Sequence, residues 1–309
     1  GSHSIKATAT DTAGNTSALS GALNVTIDTT APAAANVAGL TAGTDTGSSS
    51  SDGITSDTTP TLTGTAEAGS TVTVYVDGGR VGTATANSSG AWSYTIGSAL
   101  ADGSHSVTAT ATDTAGNTGS RSTAFDLVID THAPGAPVVS GLTAGTDTGS
   151  SSSDGITNDS TPTLTGIAEA GSMVTIRVDG TVVGTATADH AGVWSYTLTG
   201  ALADGSHSVN AIATDKAGNA SMSSSAFAFT VDTTPPSIDT ITLSSQTTTQ
   251  PGTVEFTVTF SEKVTGVDAS TFSIATTGSV QGSITSVSST DGLTYTVQVS
   301  NVMGTGSLQ

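Results

Sequence analysis

The stretch from Leu40 to Thr55 (L-T-A-G-T-D-T-G-S-S-S-S-D-G-I-T) returns letter for letter as Leu142 to Thr157, a step of 102 residues. The same step carries Pro60 onto Pro162, Trp92 onto Trp194, Asp113 onto Asp215 and Asp130 onto Asp232. It also carries Asp11 onto Asp113 and Asp28 onto Asp130, so the chain is expected to open inside an earlier copy. Repetition at domain scale means an array of like modules, each doing the same job. A catalytic centre instead needs one constellation of unlike residues. The repeat therefore turns the reading away from an enzyme, and none is expected.

The step sets the domain count. Residues 31–132 and 133–234 are complete copies, and residues 1–30 supply the last strands of a preceding one. Residues 235–309 lack the Trp and the D-T-G-S run, and read as a diverged module that stops short. There is no cysteine, so disulfides and thiol chemistry are excluded, and stability must come from packing or metal. No apolar run of membrane-spanning length is present.

Helix signals are nearly missing. Val72, Val74 and Val76 alternate with Thr71, Thr73 and Tyr75, and Trp92, Tyr94 and Ile96 alternate with Ser93 and Thr95. Val107, Ala109 and Ala111 alternate with threonines, and Phe125, Leu127 and Ile129 close the module. Period-two alternation gives each strand one apolar and one hydroxyl face, as a packed sheet requires. With Asn36–Gly39, Leu62–Ala66 and Val81–Thr85, each repeat has about seven strands. That is the size of an immunoglobulin-like sandwich. Trp92 is the largest core candidate. The prolines of the linkers, D-T-T-A-P at 28–32, D-T-H-A-P at 130–134 and D-T-T-P-P at 232–236, make short stiff connectors. The expected class is all-β, tandem sandwiches forming an elongated rod.

Acids outnumber bases 25 to 6, for a net charge of −19. No basic groove exists for nucleic acid. The acids are expected mostly at turns, beside Gly, Asn or Ser. In a seven-stranded sandwich, the loop after the second strand carries Glu67, and Asp113 ends the sixth strand; both face the linker with Asp28. The next junction repeats the set as Asp130, Glu169 and Asp215, and the third retains Asp232 and Glu262. Clustered carboxylates with backbone carbonyls suit a hard cation such as calcium. The alternative is that A-T-D-x-A-G-N is a turn whose Asp and Asn cap their own backbone. A second set, Asp45, Asp52 and Asp57, lies in the long serine-rich first loop and recurs as Asp147, Asp154 and Asp159. Calcium would order that loop, yet the pattern is not an EF-hand and Asx turns explain it as well. The five histidines (His3, His105, His132, His190, His207) never fall at ligand spacing, and read as exposed turn or edge residues.

D-T-G-S-S-S-S-D-G-I-T-x-D-x-T-P-T-L-T-G, W-S-Y-T, L-A-D-G-S-H-S-V, A-T-D-T-A-G-N and D-T-T-A-P together resemble the bacterial immunoglobulin-like repeats of giant RTX-type, biofilm-associated surface adhesins exported by type I secretion. The resemblance spans residues 1–234. Residues 235–309, with V-T-F-S-E-K-V-T-G-V-D-A-S-T-F, resemble another immunoglobulin-like module of the same proteins. It implies a monomeric extracellular stalk on a bacterial cell surface, packed repeat to repeat and stiffened by calcium at its junctions. It departs from the pattern at His132, where the preceding linker has threonine. A second expectation is a ligand-binding adhesive module, recognising carbohydrate or a host receptor protein through the diverged third domain and its Phe256, Phe260, Phe272 and Tyr295.

Overall fold

A computed structural model of the chain describes residues 1–246 and 251–308 and divides into two compact units, Gly1–Asp232 and Thr233–Gln309. At the start, β1 (Ser2–Ile5) and β2 (Leu23–Thr26) form an antiparallel pair in the register His3 opposite Val25. Its apolar residues Ile5, Leu23 and Val25 are exposed.

The first repeat contains β3 (Asn36–Leu40), β4 (Ile54–Thr55), β5 (Thr61–Thr65), β6 (Thr71–Val76), β7 (Gly79–Thr85), β8 (Ala91–Thr95), β9 (Gly103–Thr112) and β10 (Phe125–Ile129). The second repeats it as β11 (Val138–Leu142), β12 (Ile156–Thr157), β13 (Thr163–Ile167), β14 (Met173–Val178), β15 (Thr181–Thr187), β16 (Val193–Thr197), β17 (Gly205–Thr214) and β18 (Phe227–Val231). Each is two sheets face to face. One is β3-β5-β8 and the other β4-β10-β9-β6-β7, with the same order in the copy. The seven expected strands are all present, joined by a two-residue strand, β4, that runs parallel to β10.

The apolar halves of the alternating strands meet between the sheets. Leu62, Val72, Val74, Val107, Leu127 and Ile129 are at most 1% exposed, and Trp92 is buried among them. Glycine makes room for the indole: a Cβ on Gly64 would lie 2.0 Å from the Asn36 carbonyl oxygen and 2.5 Å from the Trp92 ring. The β6–β7 hairpin turns on Asp77-Gly78, at φ 51° and 80°. A two-residue turn with both central φ positive matches the twist of its strands, and Asp-Gly is a preferred pair for it.

This topology sorts the loops. Those after β5, β7 and β9 lie where the chain enters a repeat, and those after β3, β6 and β8 where it leaves. The second unit holds, among the described residues, one antiparallel sheet in the order β19 (Ile238–Gln246), β20 (Gly252–Phe260), β22 (Thr294–Met303), β21 (Gln281–Ser289). A single 3-10 turn, Ala269–Thr271, is capped by Asp268. This sheet is what the described residues form within the diverged, short module expected over 235–309. The segment Phe272–Ile274 covers part of its apolar face, beside Phe256, Val258 and Val297.

Candidate cation site at the junction of the repeats

The two full repeats meet directly. The first loop of repeat one reaches the β17–β18 loop of repeat two, where the Thr46 hydroxyl donates to the Ala217 carbonyl at 2.5 Å. Gly47 and Gly218 lie back to back: a Cβ on Gly47 would fall 1.9 Å from the Lys216 carbonyl oxygen. Burial follows. Asp215 and Ala217 are 5% and 0% exposed, whereas their counterparts Asp113 and Ala115 are half-buried and exposed.

The residues singled out by sequence fall here. Asp130 follows β10, Glu169 lies in the β13–β14 turn, and Asp215 begins the β17–β18 loop. All three line one cleft between the repeats, with Ile54 and Val128 on one wall and Gly171 and Lys216 on the other. Asn219 ties two of them together. Its side-chain amide donates to the Asp130 carbonyl at 2.8 Å and to Asp215 Oδ2 at 2.9 Å, while its backbone N–H donates to Asp215 Oδ1 at 2.9 Å. Glu169 is exposed, and its carbonyl holds the Ser172 hydroxyl at 2.7 Å.

One module earlier the asparagine bridge recurs between Asp28 and Asp113, while Glu67 is exposed. Asn117 bridges the Asp28 carbonyl, 3.1 Å, and Asp113 Oδ2, 2.9 Å. Asp113 is held below the usual carboxylate range, first by that side-chain bond from Asn117 and then by backbone N–H groups. Its carboxylate also accepts from Ala115 and Asn117, so the acid caps its own loop while facing the linker. The capping and cation readings thus use the same atoms. Asp232 closes the first unit, its N–H donating to the Thr157 carbonyl at 2.8 Å. Glu262 follows β20 in the second unit.

The long first loop separates its three acids. Asp52 and Asp57 act as turn caps, accepting from Ile54 N at 3.1 Å and from Thr59 N at 2.9 Å, and Asp154 and Asp159 do the same at Ile156 and Thr161. Asp45 and Asp147 differ. Each is 4% exposed, one oxygen accepts from a glycine N–H (Gly53, Gly155), and the other is buried with no hydrogen-bond partner. Burial pushes the Asp45 carboxyl up. An orphaned buried carboxylate oxygen is a donor of the kind a hard cation takes.

Among the described residues, the only three acid or imidazole ligand atoms all within 4.8 Å of one another belong to Asp102, Asp130 and His132. His132 Nδ1 lies 2.5 Å from Asp102 and 3.9 Å from Asp130, and the Thr131 hydroxyl donates to Asp102 at 2.9 Å. Asp102 was not among the expected ligands. It sits in the β8–β9 loop at the outgoing end, where the linker also leaves, and the loop map alone would have pointed to it. The expectation that every histidine is an exposed turn or edge residue fails at two. His105 and His207 have side chains only 13% and 12% exposed. Each is enclosed because both ring nitrogens are taken, Nδ1 by Asp77 or Asp179 and Nε2 by the carbonyl of Ala101 or Ala203.

In the second unit, the Tyr295 hydroxyl donates to the Val264 carbonyl at 2.9 Å and Phe260 packs edge-on against its ring, while Phe256 and Phe272 line the apolar cleft. No helix of the described residues is long and apolar enough to cross a membrane.

Comparison with known proteins agrees with this architecture. Residues 32–131 and 134–233 each match the bacterial Ig-like domain, and residues 189–300 match the bacterial Ig-like domain of group 3. No curated protein sequence matches. Among solved structures, the tetra-tandem repeat in the extending region of a large adhesion protein is 27% identical over 84% of this chain and 63% of that one, with a TM-score of 0.29. The BSP domain of a biofilm associated protein is 20% identical over 65% of this chain and 30% of that one, at 0.25. A structure concerning host cell surface retention of a 1.5-MDa bacterial ice-binding adhesin is 20% identical over 88% of both chains, at 0.33. This chain thus spans less than two thirds of the first two. The chain belongs to the bacterial Ig-like domain family.

Proposed function

We propose that this segment is a calcium-rigidified extender of a large bacterial cell-surface adhesin, holding an adhesive region away from the cell. The observation that supports it is the cleft between the repeats, where Asp130 of one module and Glu169 and Asp215 of the next open onto the same space. Carboxylates from two modules repel one another unless a cation lies between them, so a cation there opposes bending at the junction. Asp130, Glu169 and Asp215, with carbonyls of the linker, would hold calcium, and Asp45 and Asp147 would hold it at the first loops. Calcium supplies charge neutralisation and multidentate oxygen coordination, at the weak affinities typical of extracellular modules.

In this reading the chain is exported metal-free from a low-calcium cytosol, by a type I route, and orders outside, because site formation and metal binding are one equilibrium. Secretion route and adhesin context are carried from the family resemblance. Calorimetric titration of calcium into the chain and its Glu169→Gln variant tests the junction. Loss of one binding class in the variant supports the site; superimposable isotherms contradict it.

A further inference from the structure

The cleft that gathers Asp130, Glu169 and Asp215 also contains a base. Lys216 follows Asp215 in the β17–β18 loop, and its Cε lies 3.5 Å from where a Cβ on Gly171 would be, so the side chain crosses from that loop towards the turn that carries Glu169. The chain has only six lysines and arginines in 309 residues. In the first repeat the same position is Thr114, in an otherwise matching A-T-D-x-A-G-N loop. Lys216 makes no ion pair with Asp130, Glu169 or Asp215, so the ammonium is not locked to any one acid of the cleft. It is exposed and can move within the cleft.

We infer that Lys216 is a tethered counter-ion that competes with calcium at this junction and sets its calcium affinity below that of a junction carrying threonine. The charge arithmetic supports it. Three acidic residues line the cleft, and one ammonium reduces their formal net charge from −3 to −2. A divalent ion entering then gains less attraction and meets a like charge held on the same wall. Gly171 leaves room for the lysine stem, so removing the charge does not require repacking. Repulsion between a divalent ion and a unit charge in the same partly exposed cleft corresponds to about three- to tenfold in affinity at low ionic strength, and to less in high salt. A stalk built this way would have joints of graded calcium sensitivity, written by one residue per repeat.

The inference rests on the junctional calcium reading, and one experiment separates the two. The chain has no cysteine, so spin labels on Ser98→Cys and His190→Cys, both exposed and flanking the junction, report its distance distribution by double electron–electron resonance. Calcium is titrated into the labelled chain with Lys216, Lys216→Thr or Lys216→Met, the last keeping the apolar stem. The expected result is a distribution that narrows with calcium in all three. Its midpoint should fall about three- to tenfold in both variants, and the gap should close in about 0.5 M salt. Equal midpoints, or a shift in Lys216→Thr alone, overturn the counter-ion role while leaving the calcium junction standing. No narrowing in any of the three overturns the calcium junction and the inference with it.

Discussion

A neutral imidazole donates one hydrogen bond and accepts one, yet both ring nitrogens of His105 face acceptors, Asp77 Oδ2 at 2.7 Å and the Ala101 carbonyl at 2.8 Å. The geometry calls for imidazolium. The Ala101 carbonyl first and the Asp77 carboxylate second raise the His105 pKa above its usual 6.5, and the His105 bond holds Asp77 below its usual 3.8. Asp77 Oδ1 also accepts from Ser106 N at 2.9 Å, so the β6–β7 turn is stapled to β9 and to the β8–β9 loop. A raised histidine pKa gives stability that is complete below about pH 6.5 and is lost as pH rises through the folded value. A lowered aspartate pKa gives stability that is complete above about pH 3.8 and is lost as pH falls through the folded value. The staple is therefore strongest in mildly acid solution and weakens as pH rises through the raised histidine value. His207 with Asp179 and Ala203 duplicates it. Two charge-assisted bonds on a largely buried ring are worth about 1–2 kcal/mol per module, which for a module of about 100 residues moves the melting temperature by several degrees. The assay is thermal unfolding from pH 5.5 to 8.5 at fixed calcium, on the natural chain and on the His105→Gln, His207→Gln double variant. The exposed His3, His132 and His190 remain in both and cancel. The natural chain should lose stability with rising pH and the double variant should lose markedly less. Equal slopes refute the staple.

Other outcomes follow from packing. Gly64→Ala and Gly166→Ala each place a methyl 2.0 Å from a carbonyl and 2.5 Å from the tryptophan ring, and should cost about 2–4 kcal/mol in chemical denaturation, with the tryptophan emission shifted. Trp194→Ala, at a 1% exposed site, should cost about 3–5 kcal/mol. Gly47→Ala drives a methyl into the Lys216 carbonyl, so it should broaden the interdomain distance distribution. Gly149→Ala shares the positive φ but has nothing within 4 Å, and should not broaden it. Asp45→Asn should be neutral or stabilising in chelator at pH 7, because burial disfavours the charged form there. In calcium it should reduce the rise in melting temperature that the natural chain shows.

The sandwich was legible because its information is local. Alternation at Val72–Val76 and at Val107–Ala111 specifies which face packs, and the repeat fixes the module length. The two-residue strand β4 was not legible, since Ile54-Thr55 has no periodicity of its own and pairs only because the long first loop lies along β10. The junction acids were located by asking which loops share an end of the sandwich. That reasoning reached Asp130, Glu169 and Asp215 but overlooked Asp102, whose loop meets the linker at the same end. Within the first loop, residue type could not distinguish Asp45 from Asp52. Burial does: Asp52 caps a turn in solvent, whereas Asp45 is enclosed by the loop it orders. His105 and Asp77 are 28 residues apart, joined only through the pairing of β6 with β9, so spacing along the chain carried no sign of them.

The most direct test of the central claim is small-angle X-ray scattering of the chain in millimolar calcium and then in chelator. The account predicts an extended particle with a well-defined maximum dimension in calcium, becoming flexible when the ion is removed, and a smaller change in Asp130→Asn. Superimposable profiles in calcium and chelator would contradict it, and would leave the junction to proline, Gly47 against Gly218, and Asn219.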